Sequence, residues 1–171
     1  MKKLGRRGRL WLRAFHIFFM GAWIGVGISE TIILFFTGNA SNGGELYAYY
    51  ASVNVLDDFI IVPCAIGTLI TGLLLAWQTA WSFFKHGWVI YAEAATIVAI
   101  LLGVIWLGPG IDTLVAISKV EGLSALQNPE YVSAWNIGAI LGIVWLLLLI
   151  SAAFVSVLKP WRKREGTEAA A

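Results

Sequence analysis

Long apolar blocks separated by short polar segments dominate the pattern of residues along the chain. Each block is about 20 residues or longer, so a helix formed from it can cross a hydrocarbon core of about 30 Å. The pattern predicts an all-α, polytopic membrane protein: a four-transmembrane-helix bundle that forms a single domain over residues 1–171. The predicted spans cover residues 10–36, 59–84, 88–107 and 134–158.

Composition supports a membrane location, because 59% of the residues are hydrophobic and 13% are charged, about half the charged fraction of a soluble domain. The apolar part of the first block is about twice as long as that of a signal peptide, so we expect this span to be retained. We therefore expect a multi-pass protein of a cell membrane, in bacteria the inner membrane, in contact with the lipid bilayer.

The distribution of positive charge predicts the orientation of the chain. Of the 12 Lys and Arg residues, only Lys119 falls outside the two termini and the turn between spans two and three. By the positive-inside rule, the N- and C-termini are both predicted to be cytoplasmic. The basic ends are explained by topology and by contact with anionic headgroups, so we expect no nucleic-acid binding.

Two longer segments are predicted to lie on the outer side. In the first, apolar residues at helical spacing predict a short helix on the membrane surface; they are Leu46, Tyr49, Tyr50, Val53 and Leu56. In the second, the sequence Leu107-Gly108-Pro109-Gly110 is predicted to end the third span, because proline and glycine interrupt helices. Another surface helix is expected to follow and to end at Asn128-Pro129.

Small residues at four-residue intervals predict close contacts between helices in the bundle. The first span contains Gly21 and Gly25, and the fourth contains Ala134, Gly138 and Gly142.

Polar residues in the first two spans recur at every seventh position, which places them on one stripe of a helix. His16, Trp23 and Glu30 form the stripe of the first span. The stripe of the second span consists of Asp57, Cys64, Thr71 and Gln78. Because polar groups avoid lipid, both stripes are predicted to face the interior of the bundle.

One polar cluster is predicted near the cytoplasmic side, where His16, Gln78, Tyr91, Glu93 and Ser151 fall at a similar depth. A buried imidazole beside a carboxylate favours a charged pair, so Glu93 is the expected partner of His16. The pair can relay a proton, bind a ligand or hold helices together. A simple interhelical hydrogen bond is the alternative for His16.

A second, acidic cluster is predicted near the outer side, formed by Glu30, Asp57, Asp58 and Asp112. Clustered carboxylates repel one another, so some must be protonated, hydrogen-bonded or bound to a cation. Helix capping is the alternative for Asp57 and Asp58, which precede the second span. The candidate ligand- or proton-binding residues are therefore His16, Gln78, Glu93, Glu30, Asp57 and Asp58.

Two segments resemble known membrane families. The segment WSFFKHGWVIYAEAATIVAILLGVIWLGPGI resembles the predicted integral membrane proteins of the DUF2269 family, which implies a four-span fold but no particular activity. The segment HIFFMGAWIG, with His16 followed by Trp23, resembles the copper-resistance membrane domain and the small membrane protoporphyrinogen oxidases. This second resemblance implies a metal or haem role for His16. The sequence departs from it in having only two methionines and only one other histidine, His86.

No nucleotide-binding loop, zinc-protease motif or catalytic-triad order occurs in the sequence, so a non-enzymatic function is expected. The leading hypothesis is a bundle whose buried polar seam serves binding, transport or partner assembly. The alternatives are a haem- or porphyrin-binding redox protein that uses His16, and a proton or cation pathway from His16 and Glu93 to Glu30 and Asp57. A homo-oligomer or an accessory role in a larger membrane complex is also expected.

Overall fold

The computed structural model of the chain describes residues 4–78 and 86–160, which are almost entirely helical and contain no strand. Four helices in this part are long and apolar enough to cross a membrane: Arg6–Asn39, Gly43–Gln78, Gly87–Gln127 and Pro129–Leu158. The prediction of an all-α chain with four such helices is therefore confirmed. The end of the predicted second span and several basic residues of the orientation argument, including Lys85 and Arg162, lie outside the described residues.

The four long helices divide into ten consecutive segments. Six are α-helical: α1 (Arg6–Phe36), α2 (Gly43–Leu56), α3 (Val62–Gln78), α4 (Gly87–Leu102), α5 (Gly108–Glu121) and α6 (Pro129–Leu158). Two are π-helical turns, Asp57–Ile61 between α2 and α3 and Gly103–Leu107 between α4 and α5. The remaining two are 3-10 turns, Thr37–Asn39 and Gly122–Gln127.

Helices α1, α3, α4 and α6 form the bundle, in which α1 packs against α3 and α6, and α4 packs against the same two helices. Successive helices run in opposite directions, so the start of α1 and the end of α3 lie at the same end, here called the near end. The backbone N–H of Leu4 donates to Gln78 Oε1 there, at 2.8 Å. Helices α2 and α5 pack against each other at the opposite, far end.

The short helix expected in the first outer segment is present as α2, but its apolar face lies inside the protein. Leu46 and Tyr50 are both 0% exposed and form a core with Leu114 of α5 and Tyr131 of α6. The Tyr50 and Tyr131 hydroxyls are 2.6 Å apart. The prediction of a separate surface helix with this face against the membrane is therefore wrong. Residues of α5 and α6, rather than lipid, cover the apolar face.

The third long helix does not end at Gly108-Pro109-Gly110, contrary to the prediction. The chain passes through the π-helical turn instead, where the N–H of Gly108 bonds to the carbonyl of Gly103. This wider turn accommodates Pro109, which has no N–H to donate and whose ring clashes with the preceding carbonyls of a regular helix. The next predicted break is confirmed, since Asn128 Oδ1 accepts the N–H of Glu130 at 2.9 Å and caps α6.

Close helix contacts occur at other glycines than those predicted. A Cβ at Gly21, Gly25, Gly138 or Gly142 would have no neighbour within 4 Å. At Gly27, by contrast, a Cβ would lie 2.5 Å from Cζ3 of Trp145, and at Gly67 it would lie 2.7 Å from the ring of Phe19. The tight glycines of this bundle therefore receive aromatic rings, and the spacing of small residues does not reveal which glycines face a ring.

Candidate functional site

The two predicted polar stripes meet at His16 of α1 and Thr71 of α3. His16 Nδ1 lies 2.9 Å from Thr71 Oγ1, and the Thr71 hydroxyl donates to the carbonyl of Gly67 at 2.6 Å. Since a threonine hydroxyl has one proton, this network assigns the proton of the contact to His16 Nδ1. The neutral imidazole then carries its lone pair on Nε2.

A cavity of about 350 Å³, here called cavity A, opens beside His16 between the four bundle helices. Most of its wall is apolar. Its polar side chains are His16 and Thr68 on one side and Glu93 and Thr96 of α4 on the other. Toward the near end the wall is completed by basic and hydroxyl side chains, namely Arg13, Ser156 and Lys159.

Glu93 faces the same cavity as His16 but is not its hydrogen-bond partner. Its Oε1 atom is buried and has no hydrogen-bond partner among residues 4–78 and 86–160. The predicted His16–Glu93 pair is therefore wrong, and Thr71 takes that place. A neutral hydroxyl on the adjacent helix satisfies the imidazole without removing two charges from water, which is costly in an apolar interior.

The other members of the predicted cytoplasmic cluster are engaged elsewhere. Gln78 accepts the backbone N–H of Leu4 and ties the start of α1 to the end of α3. The hydroxyls of Tyr91 and Ser151 lie 2.6 Å apart and join α4 to α6. Of the residues predicted at this depth, only His16 and Glu93 line cavity A.

The four acidic residues of the predicted outer cluster line a second cavity of about 490 Å³, here called cavity B. They are Glu30, Asp57, Asp58 and Asp112. Glu30 Oε1 is buried without a hydrogen-bond partner in the described part of the chain. No three His, Cys, Asp or Glu side chains in that part lie close enough together to hold a metal ion. The acidic residues thus share a cavity without forming one compact coordination site.

Both π-helical turns border cavity B, a feature that the sequence pattern did not reveal. Asp57, Asp58 and Ile61 come from the first turn, and Gly103 and Leu107 come from the second. Turns of this kind occur frequently at functional sites, because they displace backbone and side chains from the regular helical register. The proline and glycines after Gly103 are the local signal of the second turn, but by themselves they predict a helix end.

Trp23 lies between the two cavities and lines both of them. The residue is 1% exposed, and its Nε1 atom is buried without a hydrogen-bond partner in the described segments. Its ring meets that of Trp145 edge to face, with centroids 5.8 Å apart. Trp145 Nε1 in turn donates to the carbonyl of Ala99 at 3.1 Å. Trp23 therefore lies at the boundary between cavity A and cavity B, and Trp145 packs against it from the side of cavity B.

A family resemblance implies a haem role for His16, but the described wall of cavity A contains no second histidine. Nε2 of His16 has the lone pair that an iron ligand needs. Met20 also lines cavity A, but it lies one turn further along the same helix face and cannot reach the opposite side of a porphyrin. His86 precedes α4 and is not part of the cavity wall. The residues present therefore do not fit a haem with two axial protein ligands.

Comparison of the chain with protein-family models, curated proteins and solved structures finds no match. The resemblance to the DUF2269 family stays a prediction, and the functional inference rests on the two cavities and the residues between them.

Proposed function

We propose that this protein is an integral membrane protein whose helix bundle relays protons between cavity A and cavity B. The observation that carries the proposal is the order of residues on one face of α1. His16 lines cavity A, Trp23 lines both cavities, and Glu30 lines cavity B. Ionisable side chains inside a membrane span are expensive, and proton relays are a common reason for their presence.

The chemistry at each cavity suits proton exchange. In cavity A, the imidazole of His16 has a fixed donor at Nδ1 and a lone pair on Nε2, so it can take up a proton at one nitrogen while the other keeps its bond to Thr71. In both cavities a glutamate has a carboxyl oxygen without a hydrogen-bond partner, Glu93 in cavity A and Glu30 in cavity B. Such an oxygen can receive a proton from water that enters its cavity.

Trp23 and Trp145 set the condition for transfer between the cavities. Both rings are buried, and Trp23 lines both cavities, so the Trp23 ring lies between cavity A and cavity B. Transfer therefore requires displacement of the Trp23 ring. A barrier of this kind prevents an open leak while each cavity equilibrates with its own side.

The relay implies a specific location and orientation, which are part of the proposal. Four apolar helices support a multi-pass protein, and the basic residues near Arg6 and Lys159 favour cytoplasmic termini in a bacterial inner membrane. Cavity A then faces the cytoplasm and the acidic cavity B faces outward. Four spans are few for a transporter, so a homo-oligomer or a larger membrane complex is the expected assembly.

Proton uptake into liposomes tests the proposal. Purified protein is reconstituted, a potassium diffusion potential is imposed with valinomycin, and internal pH is followed with a trapped dye. We expect uptake above that of empty liposomes, and we expect Glu30→Gln to abolish it. Glu130→Gln is the matched control, because Glu130 is exposed in the first turn of α6 and lines neither cavity. Uptake that Glu30→Gln leaves unchanged would contradict the proposal.

Replacement of the ions distinguishes protons from other cations. If the acidic cavity conducts metal cations instead, flux of sodium or rubidium should occur at constant pH and should also depend on Glu30. A pH signal without such flux supports the proton relay.

A further inference from the structure

We infer that cavity A is also a binding site for a single-chain anionic amphiphile, a molecule of the fatty-acid class. This inference goes beyond the proton relay and does not depend on it. It rests on two observations at the near end of the bundle: an apolar cavity of suitable size, and two basic side chains that line it at that end.

Cavity A has the properties of a lipophilic binding site. Its volume of about 350 Å³ falls within the range of small-molecule sites, about 300–1,000 Å³. Side chains such as Ile17, Leu69, Leu149 and Val157 supply most of its wall, and Trp23 closes its inner end. An alkyl chain placed in this space makes van der Waals contact with these side chains.

Among the described residues, two basic side chains line cavity A at the near end, here called its mouth. Arg13 lines it from α1, one turn before His16, and Lys159 lines it from the end of α6. The Nζ atom of Lys159 lies 5.3 Å from the centroid of the Trp88 ring, and Trp88 belongs to the same cavity wall. Guanidinium and ammonium groups in this position attract a carboxylate or phosphate headgroup.

Lys159 adopts a backbone conformation that is rare for its residue type. It has φ 48° and ψ 55°, and it is the only non-glycine residue with positive φ in the described part of the chain. It also precedes Pro160, a position that normally favours extended backbone. A left-handed residue at the C-terminal cap is a common way for a helix to end, and here the N–H of Lys159 bonds to the carbonyl of Val155 at 2.9 Å. Here the left-handed turn ends α6 and places Lys159 at the mouth of cavity A.

The charges in the cavity also determine the orientation of the ligand. Glu93 lies deeper than Arg13 and Lys159, and in its ionised form it repels an anionic headgroup. The headgroup therefore stays at the basic mouth, and the alkyl chain extends inward toward Trp23. An uncharged chain of the same length lacks the contribution of the mouth and should bind less tightly.

Binding of 11-(dansylamino)undecanoic acid to purified protein in a non-ionic detergent tests the inference. Energy transfer from tryptophan to the dansyl group reports binding, and hexadecanoic acid and hexadecanol are compared as competitors. We expect hexadecanoic acid to displace the probe at a concentration at least ten times lower than hexadecanol. Equal competition by the two molecules would overturn the inference, since adventitious apolar binding does not require the charge.

Two variants locate the site. The double substitution Arg13→Gln with Lys159→Gln should weaken binding of the probe at least tenfold. The double control is Arg6→Gln with Lys119→Gln, which removes the same charge from exposed residues outside the cavity. Filling the cavity with Ala92→Phe should reduce binding of both competitors. Unchanged binding in the Arg13 and Lys159 variant would also overturn the inference, whereas Glu30→Gln, which disables the proposed relay, should bind the probe normally.

Discussion

The indole ring of Trp145 lies directly against Gly27, so that a Cβ at Gly27 would be only 2.5 Å from the ring atom Cζ3. This contact determines where the Trp145 ring stands. From that position it packs edge to face on Trp23 and donates to the carbonyl of Ala99, shortly before the second π-helical turn. A glycine on α1 thus positions the aromatic barrier between the two cavities.

Substitution of Gly27 tests this relationship. Gly27→Ala forces the Trp145 ring out of place, and overpacking of this kind costs about 1–3 kcal/mol of stability. We expect a lower midpoint of thermal unfolding in detergent. Gly25→Ala is the matched control, because a Cβ there meets nothing within 4 Å and alanine favours a helix by about 1 kcal/mol over glycine. If the Gly27→Ala protein unfolds at the same temperature as the Gly25→Ala protein, the close contact between Gly27 and Trp145 is contradicted.

The Tyr50–Tyr131 hydrogen bond should stabilise the junction of α2 with α6. Replacing either residue with phenylalanine removes this buried hydrogen bond, at a cost of about 0.5–1.5 kcal/mol. The double variant should lose less than the sum of the single losses, because each single substitution already breaks the same hydrogen bond. Chemical unfolding of the four proteins in detergent measures this coupling, and strictly additive losses would show that the two hydroxyls are not partners.

The bond from His16 to Thr71 should fix the tautomer of the imidazole. Thr71→Val keeps the side-chain volume but removes the oxygen that accepts from Nδ1, so we expect a mixture of tautomers and a several-fold slower proton uptake. Thr71→Ser restores the oxygen and should restore both properties. Nitrogen chemical shifts of labelled histidine report the tautomer, with His86→Gln used to isolate the His16 signal. Unaltered shifts in Thr71→Val would contradict the assignment.

The ligand geometry around His16 makes a prediction about haem. Protein expressed with a haem precursor should not show the spectrum of a six-coordinate low-spin haem, because Met20 and His16 lie on the same side of α1 and His86 is outside cavity A. The optical spectrum is recorded for the wild type and for His16→Ala. A low-spin Soret band that disappears in His16→Ala would show that a second ligand reaches the iron and would favour the redox hypothesis.

Much of the fold was accessible from the sequence, because the length of each apolar block and the seven-residue stripes are local properties of single helices. These properties predict the four long helices, and they predict that His16 and Glu30 lie at two different depths, where each lines a cavity. The pairing of His16 with Thr71, rather than Glu93, depends on the rotation and height of neighbouring helices, which periodicity does not determine.

The π-helical turns explain why the outer segments were predicted poorly. Each such turn inserts about one residue into the helical repeat and rotates everything beyond it by about 100°. The apolar face of α2, which precedes the first turn, packs against Leu114 and Tyr131. The same widening lets the chain continue through Pro109, where a regular helix would end.

Proton uptake by single and double variants tests most directly whether the two cavities act in series. Glu30→Asp and Glu93→Asp each shorten one carboxyl side chain, so each should slow uptake without abolishing it. In a relay in series, the time needed to transfer one proton is the sum of the times of its steps. The increase in transfer time in the double variant should therefore equal the sum of the increases in the two single variants. Uptake that neither single variant slows would contradict the relay through Trp23. The relay would also be contradicted if the decreases in uptake rate, rather than the increases in transfer time, were additive, because that result indicates two separate routes.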